Sequence, residues 1–533
     1  MKLFKEKRGR YLISAGLFIF AFLYSGFFLQ GIGLFEDDYT RWIRQARDDP
    51  FSRTLLQTLN PVLSDWNIQF RPFVVLVFRG LFPLFQYDAS GYLYFKSLVL
   101  GIFSVFYYFF LLRYWGNKTI AFASALFLIV ICATFSSLYW VSDFILVSEL
   151  FGMMVYALYL SLEMHRQKPK MSRRFIFFAL MLLFTLLSDR TKANGKLIPA
   201  ILFFSILFSN RKRLKFYAPL LASMILILIP WGKAISHPLP GFIADKAGKA
   251  PFYSWQPASF AKFRTLLLGD FQPFSLLYGK WPPISVFSNL SYLFVYLGAA
   301  GAILVLYRFI RDKTGGYYQR ILVFQRSRRG MIVTLSSVWA FVNILALASY
   351  PSAPRHFQGR YLCGVLIPLA PLVYWYSLRF LRGLWPERKR FTALLFLLAF
   401  ALQIGFHPWH TFRLRNDFPT MIIASTRLRA WMDENIHNGL VVHFQLPVYH
   451  FKPEKGNNKH LSQWSTFNLT EIALKYGFRF EDCYIISCEQ MKNPYLILLK
   501  EFPGRSSSLY DRIFNARGKK RYYYTLYLYN VKE

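Results

Sequence analysis

The sequence predicts an all-α polytopic membrane protein, with about eleven transmembrane helices plus interfacial helices, followed by a small α/β domain. Three features carry that prediction. Apolar runs of membrane-crossing length recur through the first 406 positions of a 533-residue chain that is 55% apolar and only 17% charged, where a soluble chain of this size is more polar. The basic residues fall in short clusters between those runs rather than along one face. From about residue 407 the pattern changes to charge-rich sequence with short alternating segments, as strands of a separate domain require.

The first run, Tyr11 to Gln30, is about the length needed to cross a ~30 Å hydrocarbon core. The basic segment KEKRGR precedes it, and it leads into LFEDDYTRW instead of small residues at a cleavage site, so it reads as an uncleaved anchor in a chain that keeps Met1. Further spans fall near 91–112, 119–138, 142–162, 174–188, 196–209, 216–232, 289–309, 331–350, 361–378 and 391–406. Residues 1–406 thus form a membrane domain with outer loops 31–90 and 234–288, and residues 407–533 an extracytoplasmic α/β domain.

Charge placement sets the expected orientation. With the amino terminus in the cytoplasm, the inner segments hold 28 Lys and Arg, whereas the short outer loops hold few: Arg190, Lys192, Lys196, Arg355 and Arg360. That asymmetry follows the positive-inside rule and accounts for much of the net charge of +37 without a nucleic-acid partner. Any chemistry is then expected on the outer side, in a multi-pass protein best suited to a bacterial inner membrane.

Directly after the first span stand Glu36, Asp37 and Asp38, where membrane gives way to water. Carboxylates are costly inside a bilayer, but at its rim they keep their charge and can face a site between helices; on their own they read equally as a solvated loop. Next, Arg71, Pro72 and FVVLVFRGLFPLF read as an interfacial helix with its apolar side in lipid and Arg79 turned to water, and 260–281 reads alike. Arg190 and Lys192, in LLSDRTKANGKLIP, and Arg355, His356 and Arg360 are either headgroup anchors or ligands of a phosphate, for which guanidinium and ammonium groups are well suited. The tail carries a helical pattern in RLRNDFPTMIIASTRLRAWMDEN and strand-like GLVVHFQL, CYIIS, YLILLKEF and YYYTLYLYNV. Its Cys483 and Cys488 are a disulfide or two free thiols. His407 and His410 lack a third ligand nearby, and the sequence indicates neither a metal nor another cofactor.

Taken in order, EDDY, FRPFVVLVFRGLF, LLSDRTKANGKLIP and GRYL resemble the GT-C membrane glycosyltransferases, which include the protein O-mannosyltransferases, the aminoarabinose transferases and the tetratricopeptide-linked mannosyltransferases. The resemblance spans about residues 10–380. Many members carry Asp-Glu where this chain has Asp37-Asp38, and Lys192 comes a few residues later than the usual Ser-Lys.

The resemblance implies transfer of a sugar from a polyprenyl-phosphate carrier to a hydroxyl of a glycan, lipid or protein acceptor on the outer face, among membrane lipids. It implies Asp37 and Asp38 as catalytic carboxylates, Arg71, Arg190, Lys192 and Arg360 as cations for the carrier phosphate, and Glu36, Arg355 and His356 as further candidates. These residue types suit the chemistry. A sugar phosphate already has an anionic leaving group, so one general base and a set of cations suffice, and direct attack inverts the anomeric centre. Two other classes fit less well. An O-antigen ligase or polymerase relies on outer-loop Arg and His, and a lipid or polysaccharide transporter should carry inverted repeats or charges in mid-span.

Overall fold

The computed structural model describes residues 2–30, 43–60, 71–86, 88–131, 137–138, 143–164, 171–228, 324, 327–348, 363–385, 387–417, 419–444, 459–463, 477–488, 490–503 and 525–531. Among these, six helices are long and apolar enough to cross a membrane: Gly9–Leu29, Ala89–Trp115, Ile145–Met164, Met171–Thr191, Arg329–Ala346 and Cys363–Leu384. Shorter apolar helices stand beside them. The chain is an integral membrane protein built mainly of helices, with a sheet confined to its last hundred or so residues.

In chain order the helices are α1 (Lys2–Leu29), α2 (Arg44–Asp48), α3 (Phe51–Leu59), α4 (Pro72–Phe85), α5 (Ala89–Trp115), α6 (Lys118–Val130), α7 (Ile145–Met164) and α8 (Met171–Thr191). A short 3-10 turn (Ala193–Leu197) leads into α9 (Ile198–Asn210) and α10 (Leu214–Leu228), and then come α11 (Arg328–Ala348), α12 (Cys363–Leu384), α13 (Lys389–Asp417) and α14 (Pro419–Asn435). The expected span at 289–309, the outer loop 234–288 and the second interfacial helix at 260–281 lie outside the described residues.

Local chemistry explains the tightest connection. Gly116 ends α5 with φ +66°, a left-handed turn that a side chain would oppose, and Asn117 then caps α6 by accepting hydrogen bonds from the backbone N–H of Thr119 and Ile120. The bundle shares one continuous apolar core. α1 lies so close to α5 that a Cβ on Gly101 would come within 2.8 Å of the Phe18 ring. α7 and α8 meet at Ser148 and Ser188, whose hydroxyls are 2.9 Å apart, the kind of small polar contact that joins helices in lipid.

Helix α4 departs from its expected surroundings. Its apolar residues Val74, Val75 and Phe78 are buried against protein rather than lipid, with Phe78 edge-on to Tyr92 of α5 and Phe73 edge-on to Phe151 of α7. Arg79 is not turned to water alone: its Nη1 donates to the main-chain carbonyls of Ala46 and Asp49 at the end of α2. Carbonyls freed by the short helix α2 need donors, and the guanidinium supplies them.

In the tail, α13 runs unbroken past Phe406 to Asp417, and α14 begins at Pro419, which fits the first helical turn because proline has no N–H to lose. Five strands follow: β1 (Leu440–Phe444), β2 (Lys459–Gln463), β3 (Cys483–Ser487), β4 (Leu496–Pro503) and β5 (Thr525–Val531), in the order β2-β1-β3-β5-β4. β1 is parallel to β2 and β3, while β5 is antiparallel to β3 and β4. Ala424, Leu428 and Met432 of α14 pack on one face with Val441, Ile486 and Leu528. β2 is the strand the sequence pattern did not announce; its KHLSQ lacks the β-branched character of its neighbours. Cys483 and Cys488 are free thiols. They bracket an extended strand at about 3.3 Å per residue, which holds them far beyond disulfide reach.

Candidate functional site

Buried charge gathers where α7 begins and α8 ends. Asp143, just before α7, accepts the Ile145 backbone N–H at 3.1 Å, and the same carboxylate oxygen is 2.5 Å from Nζ of Lys192. Lys96, one helix over in α5, donates to the main-chain carbonyl of Asp143 and lies over the Phe144 ring, 4.7 Å from its centroid. Lys96, Asp143 and Lys192 are all nearly inaccessible to solvent.

The motif SDRTKANGK shapes the second half of the cluster. Helix α8 ends at Thr191, Lys192 turns extended at φ −160°, and the 3-10 turn then folds back on the helix end. Gly195 makes that fold possible: a Cβ there would stand 2.2 Å from the backbone nitrogen of Asp189. Asp189 consequently meets Arg190 at 3.4 Å and Lys196 at 3.1 Å, and Arg190 also donates to the Asn60 carbonyl at the end of α3. Lys96, Arg190, Lys192 and Lys196 thus face Asp143 and Asp189, an excess of cationic charge in a setting that screens it poorly.

Two turns into α7, Glu149 is buried and accepts a hydrogen bond from Nδ2 of Asn194 at 3.0 Å, with the side chain of Trp339 as a second donor. Together with Ser148, Ser188 and Asn343 these residues line a cavity of about 10 Å³, room for about one water-sized group.

Of the residues expected at the site, Arg190 and Lys192 fall together in this cluster. Arg71 caps the amino end of α4, half-buried, one residue before Pro72. Glu36, Asp37, Asp38, Arg355, His356 and Arg360 lie outside the described residues, as do the side chains of His407 and His410. Lys96, Asp143, Glu149 and Asp189 were not singled out from the sequence. The signal was present, since an ionisable residue inside an apolar run is a functional candidate by default. Among the described residues no group of three or more His, Cys, Asp or Glu is placed to hold a metal ion.

One solved structure stands beside this geometry. The chain is similar to the crystal structure of ArnT from Cupriavidus metallidurans bound to undecaprenyl phosphate, with a TM-score of 0.48 and 12% sequence identity over 97% of this chain and 98% of that one. No family model and no curated protein matches it.

Proposed function

We propose that this protein is a GT-C-type membrane glycosyltransferase that moves a sugar from a polyprenyl-phosphate carrier to an acceptor hydroxyl on the extracytoplasmic face, with inversion. The observation that carries this reading is the buried cationic cluster of Lys96, Arg190, Lys192 and Lys196 at one end of the helix bundle. A phosphate that anchors a lipid in the bilayer and departs with added negative charge needs fixed cations at that depth, and buried ones act more strongly than cations in water. Asp143 and Asp189 keep the cluster close to neutral in the resting state and orient it.

In the proposed reaction the acceptor oxygen attacks the anomeric carbon from the face opposite the phosphate, and the bond from that carbon to the phosphate oxygen breaks with its electron pair. Polyprenyl phosphate leaves into the cationic cluster. Arg71, Arg190, Lys192 and Arg360 are assigned to the phosphate, with Glu36, Arg355 and His356 beside them. Asp37 takes the acceptor proton, with Asp38 as its neighbour. The amino terminus is cytoplasmic and the tail extracytoplasmic in this proposal, and the donor, the acceptor and the surrounding lipids are the partners.

The test is release of polyprenyl phosphate from purified protein given synthetic polyprenyl-phosphate sugars. Asp37→Asn preserves size but cannot accept the proton, so turnover should fall about 100- to 10,000-fold while affinity for polyprenyl phosphate persists. Near wild-type rates in both Asp37→Asn and Asp38→Asn would place the base elsewhere.

A further inference from the structure

The cavity around Glu149 is built with more care than helix packing requires. Carboxylates inside a helix bundle at membrane depth are costly, and the usual remedy is an adjacent cation. Here Lys192 is taken by Asp143 and Lys196 by Asp189, and Glu149 is met by the carboxamide of Asn194. Asn343 donates its Nδ2 to the Trp339 carbonyl at 3.0 Å, which turns its Oδ1 toward Gly364. At Gly364, in the first turn of α12, an added Cβ would stand 2.8 Å from Oε1 of Glu149, 2.9 Å from Oδ1 of Asn343 and 3.4 Å from Nδ2 of Asn194. Four separate elements therefore bring a carboxylate, two carboxamides and a bare backbone to one small space, which Ser148 and Ser188 complete.

Acceptor oxygens of a carboxylate and a carboxamide, with an amide N–H beside them, match a hydroxyl that both donates and accepts. At about 10 Å³ the cavity admits one such group and excludes a sugar ring. Its position fits as well: Glu149 lies six residues along the chain from Asp143, about 9 Å of helix rise, so a group bound here would extend from a phosphate held at the cationic cluster.

Resting on the proposed transferase activity, we infer that Glu149, Asn194, Asn343 and Gly364 form a specificity pocket that recognises a single hydroxyl of the donor sugar. In the resting protein a water occupies that position.

The experiment measures polyprenyl phosphate release for a panel of short-chain polyprenyl-phosphate hexoses and pentoses, then for monodeoxy analogues of the sugar that turns over. Wild-type protein should lose about ten- to a hundredfold in kcat/KM for one deoxy analogue, the loss expected for a hydrogen bond to a charged group. Glu149→Gln should bring that ratio close to one by slowing the parent sugar, and affinity for sugar-free polyprenyl phosphate should stay within about twofold of wild type, as one lost hydrogen bond elsewhere requires. Gly364→Ala, which fills the pocket without altering charge, is the second variant and should act in the same direction. The inference is overturned if both variants discriminate among deoxy analogues as wild type does, or if both lose sugar-free carrier as strongly as sugar-bearing carrier. Release from no donor by wild-type protein would instead remove the transferase reading itself.

Discussion

Two ion pairs at opposite ends of the bundle use similar partners in different surroundings. Lys192 and Asp143 stand 2.5 Å apart with 4% and 1% of their side chains exposed. Arg213 and Glu163, between the turn after α9 and the end of α7, stand 3.1 Å apart with 43% and 4% exposed. Glu163 also accepts a hydrogen bond from the Tyr217 hydroxyl at 2.8 Å, so Arg213 is a helper that water can replace. Lys192 has no such latitude, because its partner is enclosed by protein. A charge that must stay charged out of water marks a place where the chain accepts a cost, and such costs gather at sites that act on ligands.

The contrast can be broken most directly at the buried pair. Lys192→Met deprives Asp143 of its ion partner and should cost about 3–5 kcal/mol, read as a drop in the melting temperature of the detergent-solubilised protein. The double change Lys192→Met/Asp143→Leu should recover most of that stability while leaving transfer impaired. A single variant that melts like wild type would show that burial does not distinguish the two ends. At the exposed pair, Arg213→Met should change stability by no more than about 1 kcal/mol, since exposed pairs are screened by solvent. A loss matching that of Lys192→Met would erase the comparison.

The smallest effect extends the same rule to the tail's thiols. Burial, with help from the neighbouring Asp482 carboxylate, pushes the Cys483 thiol up to about 11 from an ordinary 9.0. Cys488 is half-buried. Alkylation of the folded protein at pH 8, followed by peptide mass spectrometry, should modify Cys488 well ahead of Cys483. As pH rises through that window the unfolded chain releases the Cys483 proton before the folded chain does, so the sheet should lose a little stability there. Equal labelling of both thiols would contradict the burial.

What the sequence disclosed follows from how each feature is written in it. Membrane spans are long uniform runs, and most expected ones correspond to helices among the described residues; β1, β3, β4 and β5 show apolar alternation and were foreseen, while the polar β2 was not. Arg190 and Lys192 stood out as cations in sparsely charged outer loops. Asp143 and Glu149 were passed over because Phe144, Ile145 and Leu146 and the apolar turns beyond make their segment read as one span. Their roles depend on Lys192 and Asn194, some fifty residues away, and no local pattern states such a pairing. The surroundings of α4 were misjudged for a related reason: periodicity identifies an apolar face but does not say whether lipid or protein covers it.

Helix α13 spans 29 residues, from the apolar stretch Arg390–Ala401 to Asp417 with Pro408 inside it. A helix that continues without interruption is a screw thread as well as a strut, so each residue between Ala401 and Asp417 turns whatever follows by about 100° and advances it about 1.5 Å. The bearing of α14 and its sheet is thus recorded in a residue count. Lengthening α13 by one position would swing the tail to a different side of the bundle, whereas lengthening it by a full turn would return it nearly to its original heading at a greater height.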